Sequence, residues 1–262
     1  CIRDSHMIQE TVGASEAIIG IKKSYVQTIH ALNQHIEEFP GMRLHLLDEV
    51  YPMGDEVVLI YEATGRVVRP GGLPIEQGVA VFNVETVYNV YRAVEEKQPV
   101  TDKYVSVVAE VSDPVTVRVP LGCTLEEVVA QAGSTTVKDP VYFVGGPMMG
   151  RAMVNLDSPV TKGCSGITVM SGRDAVRREA SQCIKCAKCV AACPMGLEPY
   201  FLSKMTQKKG WDELEALMIT SCIECGCCQS SCPAYLPLLD WVRLGKQTVM
   251  GRIRARAAAA KK

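Results

Sequence analysis

The sequence predicts a three-part fold: an α/β layer over residues 1–98, a small strand-rich module over 99–170, and a helical domain with two metal clusters over 171–262. Three observations predict it. Strand-like and helix-like apolar patterns alternate in the first hundred residues. The middle is dominated by β-branched runs around a single capped helix. Towards the C-terminal end stand two copies of one cysteine motif.

Those copies read Cys183-Ile-Lys-Cys186-Ala-Lys-Cys189-Val-Ala-Ala-Cys193-Pro194 and Cys222-Ile-Glu-Cys225-Gly-Cys-Cys228-Gln-Ser-Ser-Cys232-Pro233. Both are C-x2-C-x2-C-x3-C-P, the spacing that holds [4Fe–4S] cubanes. Three thiolates spaced this closely wrap one face of a cube and cannot surround all four irons. The fourth ligand comes from elsewhere, and in two-cluster proteins it crosses over. That assigns Cys183, Cys186, Cys189 and Cys232 to one cluster, and Cys222, Cys225, Cys228 and Cys193 to the other. Zinc also takes four cysteines in C-x2-C pairs but gains nothing from a third at the same step. Disulfides do not suit thiols at this density in a chain with no secretory signature. Cys227, beside the second motif, reads as a small buried filler, and the isolated Cys123 and Cys164 as structural thiols.

A formal net charge of −1 gives no reason to expect a nucleic-acid partner. Eight of the twelve cysteines lie in the metal motifs, which implies a reducing, cytoplasmic setting. No apolar run approaches the roughly 18 residues of a membrane span, and no signal peptide is visible. The opening Cys1-Ile-Arg-Asp-Ser-His-Met7 suggests a fragment whose first few residues are foreign to the natural protein.

Residues 16–22 read as a buried strand. Tyr25, Ile29, Leu32 and Ile36 fall at helical spacing over 24–38, a helix that Pro40-Gly41 ends, and 43–50 reads as another strand. This βαβ pattern argues for a partly parallel sheet. His30, His35 and His45 lack companions at metal-ligand spacing and read as ordinary histidines. Asp55-Glu56 opens an apolar helix as a cap with acids at its start. Residues 78–82 read as a strand that delivers Asn83 to the start of the next helix, where ligands gather in open α/β sheets.

In the middle, 103–111 and 115–120 read as a hairpin across Asp113-Pro114. Thr124 and Glu127 form a capping box for the helix that follows, and 141–144 is a further strand. Loop 145–150, with three glycines and two methionines, reads as a tight interdomain turn. Residues 171–182, with Arg173, Asp174, Arg177, Arg178 and Glu179, read as a surface helix. Helices over 198–208 and 211–219 separate the clusters. A last helix over 236–260 carries Arg252, Arg254, Arg256, Lys261 and Lys262 as a solvated basic tail.

Several segments resemble a known family. Tyr51-x-x-Gly54-Asp55-Glu56, Gly72-Leu73-Pro74 and Asn83-Val84-Glu85-Thr86 are similar to the flavin domain of the NADH-binding 51-kDa subunit of respiratory complex I. The segments 145–150, 159–163 and 243–246 point to its RnfC and PduS branch. That resemblance implies an α/β flavin domain, here a remnant, then a β-grasp domain of SLBB type, then an α-helical two-cluster ferredoxin domain. It also implies FMN and two [4Fe–4S] clusters as cofactors and NADH as substrate. Tyr51, Gly54, Asp55, Glu56, Asn83, Glu85 and Thr86 would contact flavin or nucleotide. No G-x-G-x-x-G occurs, so the family's phosphate-cradling loop would lie upstream of residue 1. Asp55-Glu56 stands where complex I subunits have paired glutamates, so the subfamily is open.

The function implied is an oxidoreductase subunit. Electrons would pass from NADH through FMN to the cubanes and on to a redox partner: Rnf-type membrane subunits, a corrinoid enzyme or a ferredoxin-like acceptor. Its place would be the cytoplasm, the cytoplasmic membrane face or a microcompartment. The alternative is an iron–sulfur relay or adaptor without a working flavin site. Lys185 and Lys188 beside the first cluster, with Glu224 beside the second, would give the first the higher potential.

Overall fold

A computed structural model of the chain describes residues 1–176 and 178–260 and divides it into two compact units, 1–100 and 101–262. The first unit contains α1 (Ile2–Val12), β1 (Ala17–Lys22), α2 (Val26–Asn33), β2 (Met42–Leu47), α3 (Glu56–Thr64) and α4 (Val84–Glu95). β1 and β2 pair in parallel from Ala17 opposite Met42 to Lys22 opposite Leu47, as a βαβ unit requires.

Several expectations for this unit need correction. The 24–38 helix stops at Asn33, buries no residue, and leaves Tyr25 exposed; a separate 3-10 turn covers Ile36–Glu38. β1 buries only Ile21. Residues 78–82 form no strand, because the sheet of this unit holds only β1 and β2 among the described residues. The first residues form α1, which packs on α4 and buries Ile2 and Asp4.

The second unit begins with a mixed five-stranded sheet. Its strands are β3 (Asp102–Ala109), β4 (Val115–Pro120), β5 (Pro140–Val144), β6 (Arg151–Ala152) and β7 (Gly166–Ser171), in the order β4-β3-β7-β5-β6. Helix α5 (Leu125–Ala130) lies on it. The Thr124–Glu127 capping box is present, and Leu125 and Val128 pack with Val105, Val107, Ile167 and Val169. Central β7, unforeseen in the sequence, runs parallel to β3 and antiparallel to β5. Cys164 is buried in this core and Cys123 packs against it, as structural thiols do.

The expected helix over 171–182 is only α6 (Gly172–Ala175), because Val176 is extended (φ −69°, ψ 128°). Arg177 lies outside the described residues. Short helices α7 (Lys188–Ala191) and α10 (Cys227–Ser230) follow the cysteine loops. Between and beyond them run α8 (Pro199–Gln207), α9 (Trp211–Ala216) and α11 (Leu238–Ala259). Leu202, Leu214, Ile219, Val242 and Val249 make their common core. The end of α11 is exposed over residues 254–260, as a solvated tail is, yet two of its arginines make surface ion pairs. Arg252 reaches Asp212 at 3.1 Å and Arg256 pairs with Glu215, fastening α11 to α9. Lys261 and Lys262 lie outside the described residues.

Candidate metal centres and flavin site

The region from Cys183 to α11 is a structural repeat. One constant offset carries Cys183, Cys186, Cys189 and Cys193 onto Cys222, Cys225, Cys228 and Cys232, and carries α7 onto α10 and the start of α8 onto that of α11. Backbone conformations repeat with it. Lys185 (φ 56°) matches Glu224 (φ 58°), Ala187 (59°) matches Gly226 (83°), and Gly196 (64°) matches Tyr235 (52°). Such left-handed residues coil a loop tightly enough to turn successive side chains inward. In both loops the backbone N–H two residues on donates to the first sulfur: Lys185 to Cys183 and Glu224 to Cys222, each at 3.4 Å. Donors of this kind stabilise charge on a ligating sulfur.

Each loop borders a cavity. The first is lined by Cys183, Cys186 and Cys189 together with Cys232. The second is lined by Cys222, Cys225 and Cys228 together with Cys193. Three thiols of one motif and the fourth of the other thus meet at each cavity. Among the described residues, no three His, Cys, Asp or Glu side chains stand close enough to hold a single ion. Three thiols from a C-x2-C-x2-C loop and a fourth from outside it are the donor set a [4Fe–4S] cubane takes.

Burial pushes the Cys228 thiol up to about 12, and the sulfurs of Cys222, Cys225 and Cys193 add to the effect. Burial also raises Cys222. Thiolate ligands must be deprotonated, so occupation of the cavity releases protons. Cys227 is not a buried filler: it is half-buried at the start of α10. Its thiol is raised to about 11 by burial and then by a bond with Cys225.

The two loops differ in cover. Ile184, Lys185, Cys186, Ala187 and Lys188 are all exposed, whereas Cys225 and Gly226 are buried and their neighbours half-buried. The second loop lies under 145–150: a Cβ on Gly226 would stand 2.9 Å from the Met148 carbonyl. It also lies under α11, where Lys246 Nζ donates to the Cys222 carbonyl at 2.7 Å. Glu224 pairs with both Arg243 and Lys246 at 3.2 Å. Its charge is therefore offset, which removes the ground for ranking the two potentials from Lys185, Lys188 and Glu224 alone.

The residues expected at a flavin gather at two helix starts. Asp55 caps α3, its carboxylate accepting from Val57 N–H at 3.0 Å and Val58 N–H at 3.4 Å, with Glu56 next. Asn83 caps α4 by accepting from Glu85 N–H at 2.9 Å, with Glu85 and Thr86 in its first turn. Tyr51 is exposed, and the backbone of Gly54 is open where a Cβ would be, with nothing within 4 Å. Polar groups and one open backbone face fit the edge of a flavin in part. His30 and His35 pair locally with Gln34 and Glu38 and belong to no site.

The chain combines a domain of FMN-binding type with a domain of two-cluster iron–sulfur type. Residues 2–92 match the Nuo51 FMN-binding domain, and residues 182–235 match the 4Fe-4S dicluster domain. Among relatives, the chain is 41% identical over 214 residues to cobalamin reductase PduS of Citrobacter freundii, covering 77% of the chain and 47% of the relative. It is 33% identical over 249 residues to a component of the Na+-translocating ferredoxin:NAD+ oxidoreductase complex of Acetobacterium woodii, covering 95% and 56%. The chain is homologous to PduS and RnfC subunits and matches the RnfC/PduS-like family. It spans about half the length of the curated relatives it matches. The fold is also that of an NAD+-reducing [NiFe]-hydrogenase chain in its H2-reduced state: TM-score 0.57, 20% identity, 92% of this chain and 49% of that one. No helix among the described residues is long and apolar enough to cross a membrane.

Proposed function

We propose that this protein passes electrons from NADH, through FMN on its first unit, to two [4Fe–4S] clusters and on to a redox partner. The observation that carries the reading is the meeting, at each cavity, of three thiols of one motif and the fourth of the other. Cys183, Cys186, Cys189 and Cys232 hold the first cluster; Cys222, Cys225, Cys228 and Cys193 hold the second. Bound FMN supplies the change from hydride to single-electron chemistry. Around it, Gly54 lets the ring approach the backbone, Tyr51 flanks it, and Asn83 and Thr86 meet its polar edge. Asp55, Glu56 and Glu85 suit ribose hydroxyls and repel a 2′-phosphate, which favours NADH over NADPH. Residues 101–171 form the β-grasp module of SLBB type, a reading supported by its sheet folded on α5. The partner is a membrane complex of Rnf type, a corrinoid enzyme or a ferredoxin-like acceptor.

One observation favours a second reading, a relay without a working flavin. Asp55 and Asn83 already serve as helix caps and need no ligand to explain them. The experiment is anaerobic reconstitution with iron, sulfide and FMN, followed by NADH. Bleaching of the flavin band and then reduction of both clusters supports the enzyme. Clusters that form but take no electrons from NADH support the relay.

A further inference from the structure

The repeat supplies its own control for what the exposed first loop is for. Two loops of the same spacing, same left-handed positions and same N–H to sulfur bond differ in cover. The second is sealed by the Met148 carbonyl, Leu239 and the Glu224–Arg243–Lys246 ion pairs. The first has no such roof: Cys186 itself is exposed, Ile184 is 67% exposed and Val190 39%. Ile184 and Val190 are two exposed aliphatic side chains beside a candidate ligand thiol, the kind of apolar centre a partner's interface buries.

Charge says what the cover is. From Cys183 to Leu197 there is no acidic residue, and the two lysines, Lys185 and Lys188, are exposed. Neither has an ion-pair partner among the described residues, whereas Glu224, the counterpart of Lys185, has two. Free cations around a small apolar centre form a surface complementary to an acidic rim.

We propose that the loop 183–190 is the docking face for an acidic one-electron redox protein, which covers Ile184 and Val190 and pairs with Lys185 and Lys188. The second centre is then the internal one, and single electrons cross to or from the partner at the first. The inference rests on the electron-transfer reading above and adds the face at which transfer to the partner occurs. Each crossing oxidises one side by one electron and reduces the other by one.

The test uses the oxidised, cluster-loaded protein and an acidic flavodoxin as probe, with binding measured by calorimetry at low salt. Lys185→Glu places at that position the residue its counterpart already carries at nearly the same φ. The double variant Lys185→Glu/Lys188→Glu is therefore expected to keep its iron content. Its binding falls at least about tenfold, since facing like charges disfavour association strongly. The control is Lys208→Glu/Lys209→Glu, which makes the same charge change just past the far end of α8, about 13 Å from the first-cavity end of that helix. The control binds as wild type does. Three results overturn the proposal: no binding by wild type, equal loss in both variants, or unchanged binding in Lys185→Glu/Lys188→Glu. Wild-type binding to phosphatidylglycerol vesicles, lost in the double variant and without flavodoxin binding, overturns it in favour of a lipid surface. None of these touches NADH reduction of the clusters, so the electron-transfer reading stands or falls separately.

Discussion

A single sulfur decides the wiring. Cys193 lies in the first motif by sequence but lines the cavity of the second, beside Cys222, Cys225 and Cys228. Replacing it by Ala is expected to perturb the centre held by those three and leave the other intact. Cys232→Ala is expected to do the reverse. Mössbauer spectra of the reconstituted variants distinguish this from both changes striking their own motif's centre. Lys246 belongs to the same scale. Its ammonium bonds the Cys222 carbonyl and pairs with Glu224, close to where negative charge rises on reduction. Lys246→Met is expected to lower the midpoint potential of the second centre in an EPR-monitored redox titration, because a nearby cation favours the added electron. An unmoved potential would assign Lys246 to packing alone.

At the scale of elements, the cluster loops depend on how closely α11 can approach α8 and α9. Gly245 sits mid-helix where a Cβ would lie 2.3 Å from Thr206 Oγ1 and 2.8 Å from Ile219 Cδ1. Gly245→Ala gains helix propensity but overpacks this contact, with a net loss of about 1–3 kcal/mol expected in denaturant melts of the apo protein. The same packing has a pH signature. Arg256 holds the Glu215 carboxyl below the usual carboxylate range by a hydrogen bond. A carboxylate lowered on folding contributes stability above its unfolded pKa and loses it as pH falls through the folded one. The melting temperature of wild type is therefore expected to fall more on acidification than that of Arg256→Ala, by a small margin suited to an exposed pair. Elements were legible where local rules agreed: the Thr124–Glu127 box, the acid-capped start of α3 at Asp55, and the length of α8 all stand in the sequence. Central β7 was not, since Gly166–Ser171 pairs with β3 and β5 far away along the chain and carries no turn signal of its own. The charged run after Ser171 looked helical because charge alone does not reveal where the backbone turns extended.

At the scale of the whole molecule, the cysteine spacing was readable because the thiols of each motif are local in sequence, and the fourth thiol of each lines the other motif's cavity. What hid was the repeat that spans the helices, because Lys185 and Glu224, or Ala187 and Gly226, share a backbone conformation and not a side chain. The unequal cover of the two loops hid for the same reason. It comes from Met148, Leu239 and α11, none of them in the motif. The residues proposed to meet a flavin are expected from resemblance alone, since Asp55 and Asn83 are explained locally as caps and Glu56 and Glu85 as first-turn acids.

The central claim is that eight thiols close around two cubanes near enough to interact. The measurement is iron content together with the EPR spectrum of the anaerobically reconstituted protein reduced with dithionite. The account predicts about eight irons per chain and two reduced clusters whose signals are broadened by their mutual coupling. Bound zinc, about four irons, or two signals with no coupling would contradict it.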